Sequence, residues 1–346
     1  MDDEGANEDP ATASLYSLPR ALSRSEDRLA AAISARLALV PSAVLQAALE
    51  RSTSGGKRFR PLLALWFGDS LGVARDDAER IACLTEWLHS AFLIHDDIQD
   101  GDEWRRDQPT LWKSHGISTA LNAADWLLSA VYLEVSRMHL PDEVRSQLLS
   151  AVQDVHSRTV LGQQYDLDGR GDADFGLDRY EQAVRAKTGR YLALGMVAVA
   201  IAARWSQHAI DQLWSIGDHL GPAFQIQDDL LDLTSSKGRA GQLGNDIREG
   251  KPSILYAHAL ERGQLSQEQK NRLVDVMLQE RVLTSDEDVE WVISLFHDCG
   301  AIEFARIQAN DRADKGIHLF RELPGVPQEL HATFEQIARF AVERNR

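Results

Sequence analysis

Apolar residues return every three or four positions along almost the whole chain, and this periodicity limits more than any other feature what the chain can fold into. Leu29/Ile33/Leu37, Val44/Leu45/Leu49, Leu84/Leu88/Phe92, Leu127/Val131/Val135, Leu213/Ile216/Leu220 and Ile226/Leu230 each line one helical face. No alternating strand pattern and no strand–helix–strand order is visible. Breakers separate the runs, among them Ser54-Gly55-Gly56, Gly72, Gly116, Pro141, Gly169-Arg170-Gly171, Gly250 to Pro252 and Pro324 to Pro327. The expectation is an all-α, single-domain bundle of roughly ten or more helices over residues 15–346. The apolar stretch YLALGMVAVAIAA, between Arg190 and Arg204, is too short to span a bilayer and suits a helix buried on all sides.

Charge narrows the classes of partner. With 37 bases against 53 acids the net charge is −16, and no run of Lys and Arg is dense enough to track a nucleic-acid backbone. The first ten residues, MDDEGANEDP, carry five acids and no base, the reverse of a secretory leader. Residues 1–14 are therefore expected to form an acidic, disordered tail on a cytoplasmic protein. Cys83 and Cys299 stand far apart with no CxxC or Cys/His ligand spacing, which fits buried free thiols in a reducing compartment.

Two strings carry chemistry. In HDDIQD, Asp96 and Asp100 lie one helical turn apart with Asp97 beside them, and His89 and Phe92 stand seven and four residues upstream on nearly the same line. In FQIQDDLLDL the pattern repeats as Asp228, Asp229 and Asp232, with Gln225 one turn earlier. Carboxylates packed at the end of an apolar helix face repel one another unless a cation joins them. Oxygen-only donors without His or Cys suit Mg2+, which is held by a few carboxylates together with substrate phosphates. Cations stand close in sequence: Lys57 and Arg60 in GGKRFRP, Arg105 and Arg106 in EWRRDQPT, Lys187 in AKTG and Lys251 in NDIREGKPS. The chain has only seven lysines, so three of them fall in such strings. Arg offers a planar fork to phosphate oxygens and Lys a point charge.

From about residue 50 onward the chain resembles the trans-isoprenyl diphosphate synthases, or polyprenyl synthetases. GGKRFRP, HSAFLIHDDIQDGDEWRRDQPT, GQQYDL, KTG, FQIQDDLLDL and LGNDIREGK follow in that family's order and at about its spacing. The resemblance implies an all-α fold around a central cavity and a Mg2+-dependent prenyltransferase with three ions per site. Lys57, Arg60, His89 and Arg106 match the positions that hold the diphosphate of isopentenyl diphosphate. Arg105, Lys187, Thr188, Gln225 and Lys251 match those for the allylic diphosphate. The two aspartate strings match the metal-binding motifs, Gln163 and Asp166 the GQxxDL motif, and Asp246 the acid of NDxxEGK. One position departs: Gln242 stands where most members have a second allylic-diphosphate lysine, and Lys237 or Arg239 is the expected source of the missing charge. The family usually forms homodimers.

The implied reaction is ionisation of the allylic C–O bond, attack by the double bond of isopentenyl diphosphate, and loss of a proton to the departing diphosphate. The tail must then run down the apolar face below Asp96. There Ala91 followed by Phe92 leaves one gap and one plug, which favours a C20 product over C15. Two rivals share the aspartates. A class I terpene cyclase has no need of Lys57, Arg60 and His89, and a non-catalytic subunit of a heteromeric synthase tends to lose one aspartate string, whereas this chain keeps both.

Overall fold

The computed structural model describes residues 18–234 and 243–343. The acidic segment 1–14 and the positions Lys237, Arg239 and Gln242 lie outside the described residues.

Helices α1 (Arg20–Ser23), α2 (Glu26–Leu37), α3 (Ala43–Ser52) and α4 (Phe59–Ser70) lead into the long α5 (Arg75–Gln99). A minimal antiparallel ribbon follows, β1 (Trp104–Arg105) against β2 (Gln108–Pro109). Then come α6 (Leu111–His115), α7 (Ile117–Ser136), α8 (Asp142–Asp168) and α9 (Leu177–Val184). A π turn, Arg185–Gly189, joins α9 to α10 (Arg190–Ala202). Next are α11 (Gln207–Asp232), the single turn α12 (Asn245–Arg248), and α13 (Ile254–Arg262). The chain continues with α14 (Gln267–Leu278), α15 (Asp286–Asp298), α16 (Ala301–Arg321) and α17 (Glu329–Glu343).

The termini of these helices follow from local chemistry. Ser42, Ser206, Ser253, Ser266 and Ser285 cap α3, α11, α13, α14 and α15, each hydroxyl accepting a first-turn N–H. Gly116, at φ 80°, ends α6 and opens α7. The ribbon has no counterpart in the sequence reading, because two residues per strand are too few to show alternation. Arg106 and Asp107, both at positive φ, make its turn.

The apolar stretch of α10 is buried along its length and packs against α4, α5, α8 and α11, so the bundle is built around it. A helix that is apolar on all sides has no face to give to water. Leu29, Ile33, Leu37, Leu84, Leu88, Leu127, Val131, Leu213 and Ile216 all enter one contiguous core, whereas Val44, at 63% exposure, does not. Both cysteines are free; Cys83 is buried in α5, which pushes its thiol up to about 12, and Cys299 is half-buried. Among the described residues no helix is long and apolar enough to cross a membrane.

Candidate active site

Both aspartate strings fall at helix C-termini: Asp96 and Asp97 in the last turn of α5 with Asp100 as its cap, and Asp228, Asp229 and Asp232 in the last turns of α11. That end of a helix carries partial negative charge, so the backbone opposes carboxylates there and cations must offset them. The first string is matched carboxylate by carboxylate. Arg105 Nε donates to Asp97 Oδ1 at 2.5 Å, Arg170 pairs with Asp100, and Lys187 Nζ stands 4.0 Å from Asp96 Oδ2. Burial pushes the Asp97 carboxyl up to about 6 although Arg105 opposes the rise. Burial and the neighbouring Asp96 raise Asp100.

In the second string Asp229 is buried, and its Oδ1 accepts from Lys251 Nζ at 2.9 Å and from Gln225 Nε2 at 3.0 Å. Its Oδ2 has no partner. Lys251 Nζ donates also to Asp246 Oδ2, at 2.9 Å. Asp232 turns toward the chain instead, its Oδ2 accepting the Asp246 N–H at 2.8 Å and so tying α11 to α12. Asp228 is half-buried beside them. Burial raises Asp229, while the two carboxylates around it raise Lys251 against the cost of desolvation.

Lys187 links the two strings. It sits on the π turn, a distortion that often marks functional positions in helices. Its Nζ donates to Asp166 Oδ2 at 2.8 Å. Gly162, from the same GQQYDL string, makes this approach possible: a Cβ there would lie 2.3 Å from the Lys187 backbone nitrogen. Gln163 Nε2 donates to Gln99 Oε1 at 2.9 Å, fastening α8 to the end of α5. A cleft is lined by Asp166, Lys187, Thr188, Gln225, Asp229 and Lys251, and a second reaches Asp232 and Asp246. Of the cations matched to the allylic diphosphate, Arg105 alone among those described turns away from this cleft, toward Asp97 and Asp102.

A second group of cations gathers around His89 of α5. The Arg60 guanidinium lies 4.5 Å above the Tyr191 ring, and the His89 ring lies 6.1 Å from the same ring. Lys57 Nζ stands 4.8 Å over Phe340 of α17, so the last long helix covers this side. Arg106 reaches the Ser54 carbonyl and lies against Gly56, where a Cβ would meet its guanidinium at 2.3 Å. Burial and the nearby arginines hold His89 well below its ordinary range, so it is a neutral imidazole at pH 7. Among these cations lies Glu86, buried and with an unpartnered Oε2, its carboxyl pushed up to about 6 by desolvation although Arg58, Arg106 and Arg60 oppose the rise.

One turn below Asp96, Phe92 packs edge-on against Tyr191 at 5.8 Å and His156 at 5.7 Å. Tyr132 and His156 Nδ1 share a hydrogen bond of 2.8 Å behind it. Ala91, next to Phe92, is fully buried.

The sequence reading missed several residues that complete the site. Arg170, seen there only as part of a breaker, holds Asp100. Arg281 pairs with Asp102 of the loop after the first string, and donates to Glu249 Oε1 at 3.3 Å and to Asn245 Oδ1 at 2.8 Å beyond the second. Tyr180 and Tyr191 are buried with unpartnered hydroxyls. A spacing signal existed only for Tyr180, which lies two turns before Lys187. Arg281 is remote in sequence from everything it touches.

The donor set fits a hard divalent cation: every candidate ligand is a carboxylate oxygen, and buried Asp229 Oδ2 is orphaned. Unpartnered buried polar atoms are rare in folded chains. Here Arg60 Nε, Glu86 Oε2, Gln163 Oε1, Tyr180 Oη, Tyr191 Oη and Asp229 Oδ2 all lie around this one region. Among the described residues, ligand atoms of Asp76, Asp77 and His139 near the start of α5 lie within 4.8 Å of one another, where Arg80 and the His139 N–H already engage the two acids.

Known proteins resemble this chain in sequence and fold. A short chain isoprenyl diphosphate synthase from Methanothermobacter thermautotrophicus is 33% identical over 310 residues, 88% of this chain and 92% of the relative. A geranylgeranyl pyrophosphate synthase from Geoglobus acetivorans is 32% identical over 289 residues, 82% of this chain and 87% of the relative. The crystal structure of geranylgeranyl pyrophosphate synthase from Corynebacterium glutamicum, complexed with isoprenyl diphosphate and magnesium, superposes with a TM-score of 0.83 at 25% identity, covering 95% of this chain and 99% of that one. The polyprenyl synthetase family model matches residues 42–296, the span that contains both aspartate strings and every cation described above, and the chain belongs to that family as a prenyl diphosphate synthase.

Proposed function

We propose that the chain condenses isopentenyl diphosphate with an allylic diphosphate to give a C20 product, binding the two diphosphates on the two separate cation groups. The observation that carries this reading is that separation: Lys187 and Lys251 share the cleft with Asp229, whereas Arg60, His89 and Arg106 gather around Tyr191 and Gly56. A chain that ionised one diphosphate would need only the first group.

Asp96, Asp97, Asp100, Asp228, Asp229 and Asp232 would hold Mg2+, as the magnesium in the related Corynebacterium structure supports. The metal, when bound, supplies positive charge to the allylic diphosphate and makes it a better leaving group. Lys187 and Lys251 add charge on the same oxygens as the C–O bond breaks. Arg60 and Arg106 orient isopentenyl diphosphate, and neutral His89 donates one N–H to it. The double bond then attacks the allylic carbon, and the proton lost goes to the diphosphate that has left. The apolar helices below keep water from the cation.

Phe92, backed by His156 and Tyr132, closes the path of the growing tail, while Ala91 leaves room beside it; this supports C20 over C15. Residues 15–346 act as one domain in the cytoplasm, and the enzyme is a homodimer. Apolar side chains stand exposed on α7 and α8, including Ile117, Leu121, Leu133 and Val160, and a second copy covering them supports that assembly. The test is to incubate the protein with Mg2+, isopentenyl diphosphate and C5, C10 or C15 allylic diphosphates, and to read products by mass spectrometry. A discrete C20 diphosphate is expected. No elongation with any primer would overturn the reading.

A further inference from the structure

Tyr180 stands on α9, 4% exposed, with its side chain lining the cleft that holds Lys187, Thr188, Gln225, Asp229 and Lys251. The other donors of that cleft are engaged: Lys187 with Asp166, Lys251 with Asp229 and Asp246, Gln225 with Asp229, and Thr188 Oγ1 with the Val184 carbonyl. The Tyr180 hydroxyl has no hydrogen-bond partner at all, as donor or acceptor. A buried hydroxyl left unpaired weakens a fold, and phenylalanine would fill the same space without that penalty. Burial first, and Asp229 second, hold the phenol well above its ordinary range. It is therefore a donor at working pH, and it is not bonded to the one unpartnered carboxylate oxygen of the cleft, Asp229 Oδ2.

We propose that Tyr180 is a further substrate-binding residue, whose Oη–H donates to a non-bridging oxygen of the allylic diphosphate held by Lys187 and Lys251. The inference rests on the two-diphosphate reading above. As the allylic C–O bond breaks, its electron pair passes to the diphosphate, and the oxygen facing Tyr180 gains charge. A hydrogen bond to an ion strengthens at that point, so the hydroxyl serves the transition state more than the ground state.

The test is Tyr180→Phe in the full chain. Turnover per allylic KM is expected to fall about ten- to a hundredfold, with the KM for isopentenyl diphosphate unchanged. Calorimetric titration with geranyl S-thiolodiphosphate and Mg2+ is expected to show weaker binding. The unliganded variant should melt at the wild-type temperature or above it, because no hydrogen bond within the protein is lost. A lower melting temperature with unaltered analogue affinity and turnover would assign the hydroxyl to structure and overturn the proposal, as would an equal loss toward isopentenyl diphosphate. A wild-type protein that elongates no primer would instead remove the two-diphosphate reading itself.

Discussion

Lys251 Nζ lies 2.9 Å from Asp229 Oδ1, and the same ammonium reaches Asp246 Oδ2 at 2.9 Å. One cation thus ties the aspartate-bearing end of α11 to the turn of chain that follows it. Removing it leaves two buried carboxylates facing each other, so Lys251→Ala is expected to lose about 3 kcal/mol or more of stability as well as activity. Mg2+ should restore part of that stability, since a second cation can answer the same oxygens. Thermal unfolding with and without Mg2+ checks this, and an equal deficit in both conditions would show that the carboxylates are not a metal site.

Arg281 joins the loop after the first aspartate string to the segment after the second, through Asp102 on one side and Asn245 and Glu249 on the other. It touches no candidate ligand and acts by holding the two sides in register. Arg281→Ala is expected to raise the Mg2+ concentration for half-maximal activity severalfold, with a smaller change in turnover at saturating metal. Arg281→Lys should recover part of the effect, because a point charge can replace some of the fork's bonds. Metal titrations of the three proteins provide the check.

Glu86 gives a pH dependence of definite sign. Its carboxyl is raised from 4.5 to about 6 in the folded chain, so the group favours folding below pH 4.5 and loses that contribution as pH rises through about 6. The shift corresponds to about 2 kcal/mol. Glu86→Gln is therefore expected to be more stable than wild type at pH 8 by about that amount, and no more stable at pH 4.5. Urea unfolding at the two pH values measures the difference. A pH-independent gap would mean that the Glu86 carboxyl titrates alike in the folded and unfolded chain.

Phe92 is wedged between Tyr191 and His156 one turn below Asp96. Phe92→Ala should open the path and shift the product to C25 or longer, at a stability cost of about 3 kcal/mol. Ala91→Phe should shorten it to C15. Mass spectrometry of the two product mixtures decides whether this ring is the floor.

The helical fold and the carboxylate strings were legible because both depend on local spacing. An i, i+4 pair meets on one face wherever the helix goes, and Asp96/Asp100 and Asp228/Asp232 needed no tertiary knowledge. Lys187 and Lys251 were legible through strings that resemble a known family. The β1–β2 ribbon was not, since it is shorter than the period that would announce it. The exposure of Val44 also escaped the periodicity, which gives a face and not its partner.

By itself, then, the sequence determined the all-α class, the two oxygen-only carboxylate strings and the apolar helix below the first of them, because residue chemistry and helical period are properties of neighbouring positions. Only the tertiary structure decided which cation answers each carboxylate, that Arg105 serves Asp97 and Arg170 serves Asp100, and that Arg281 spans both sides. It also decided that the Tyr180 hydroxyl reaches the cleft with no partner of its own. These pairings join residues 8 to 179 positions apart. Electrostatic and hydrogen-bond partners depend on distance in space, which is set by how α5, α8, α10 and α11 pack and not by the order of the chain.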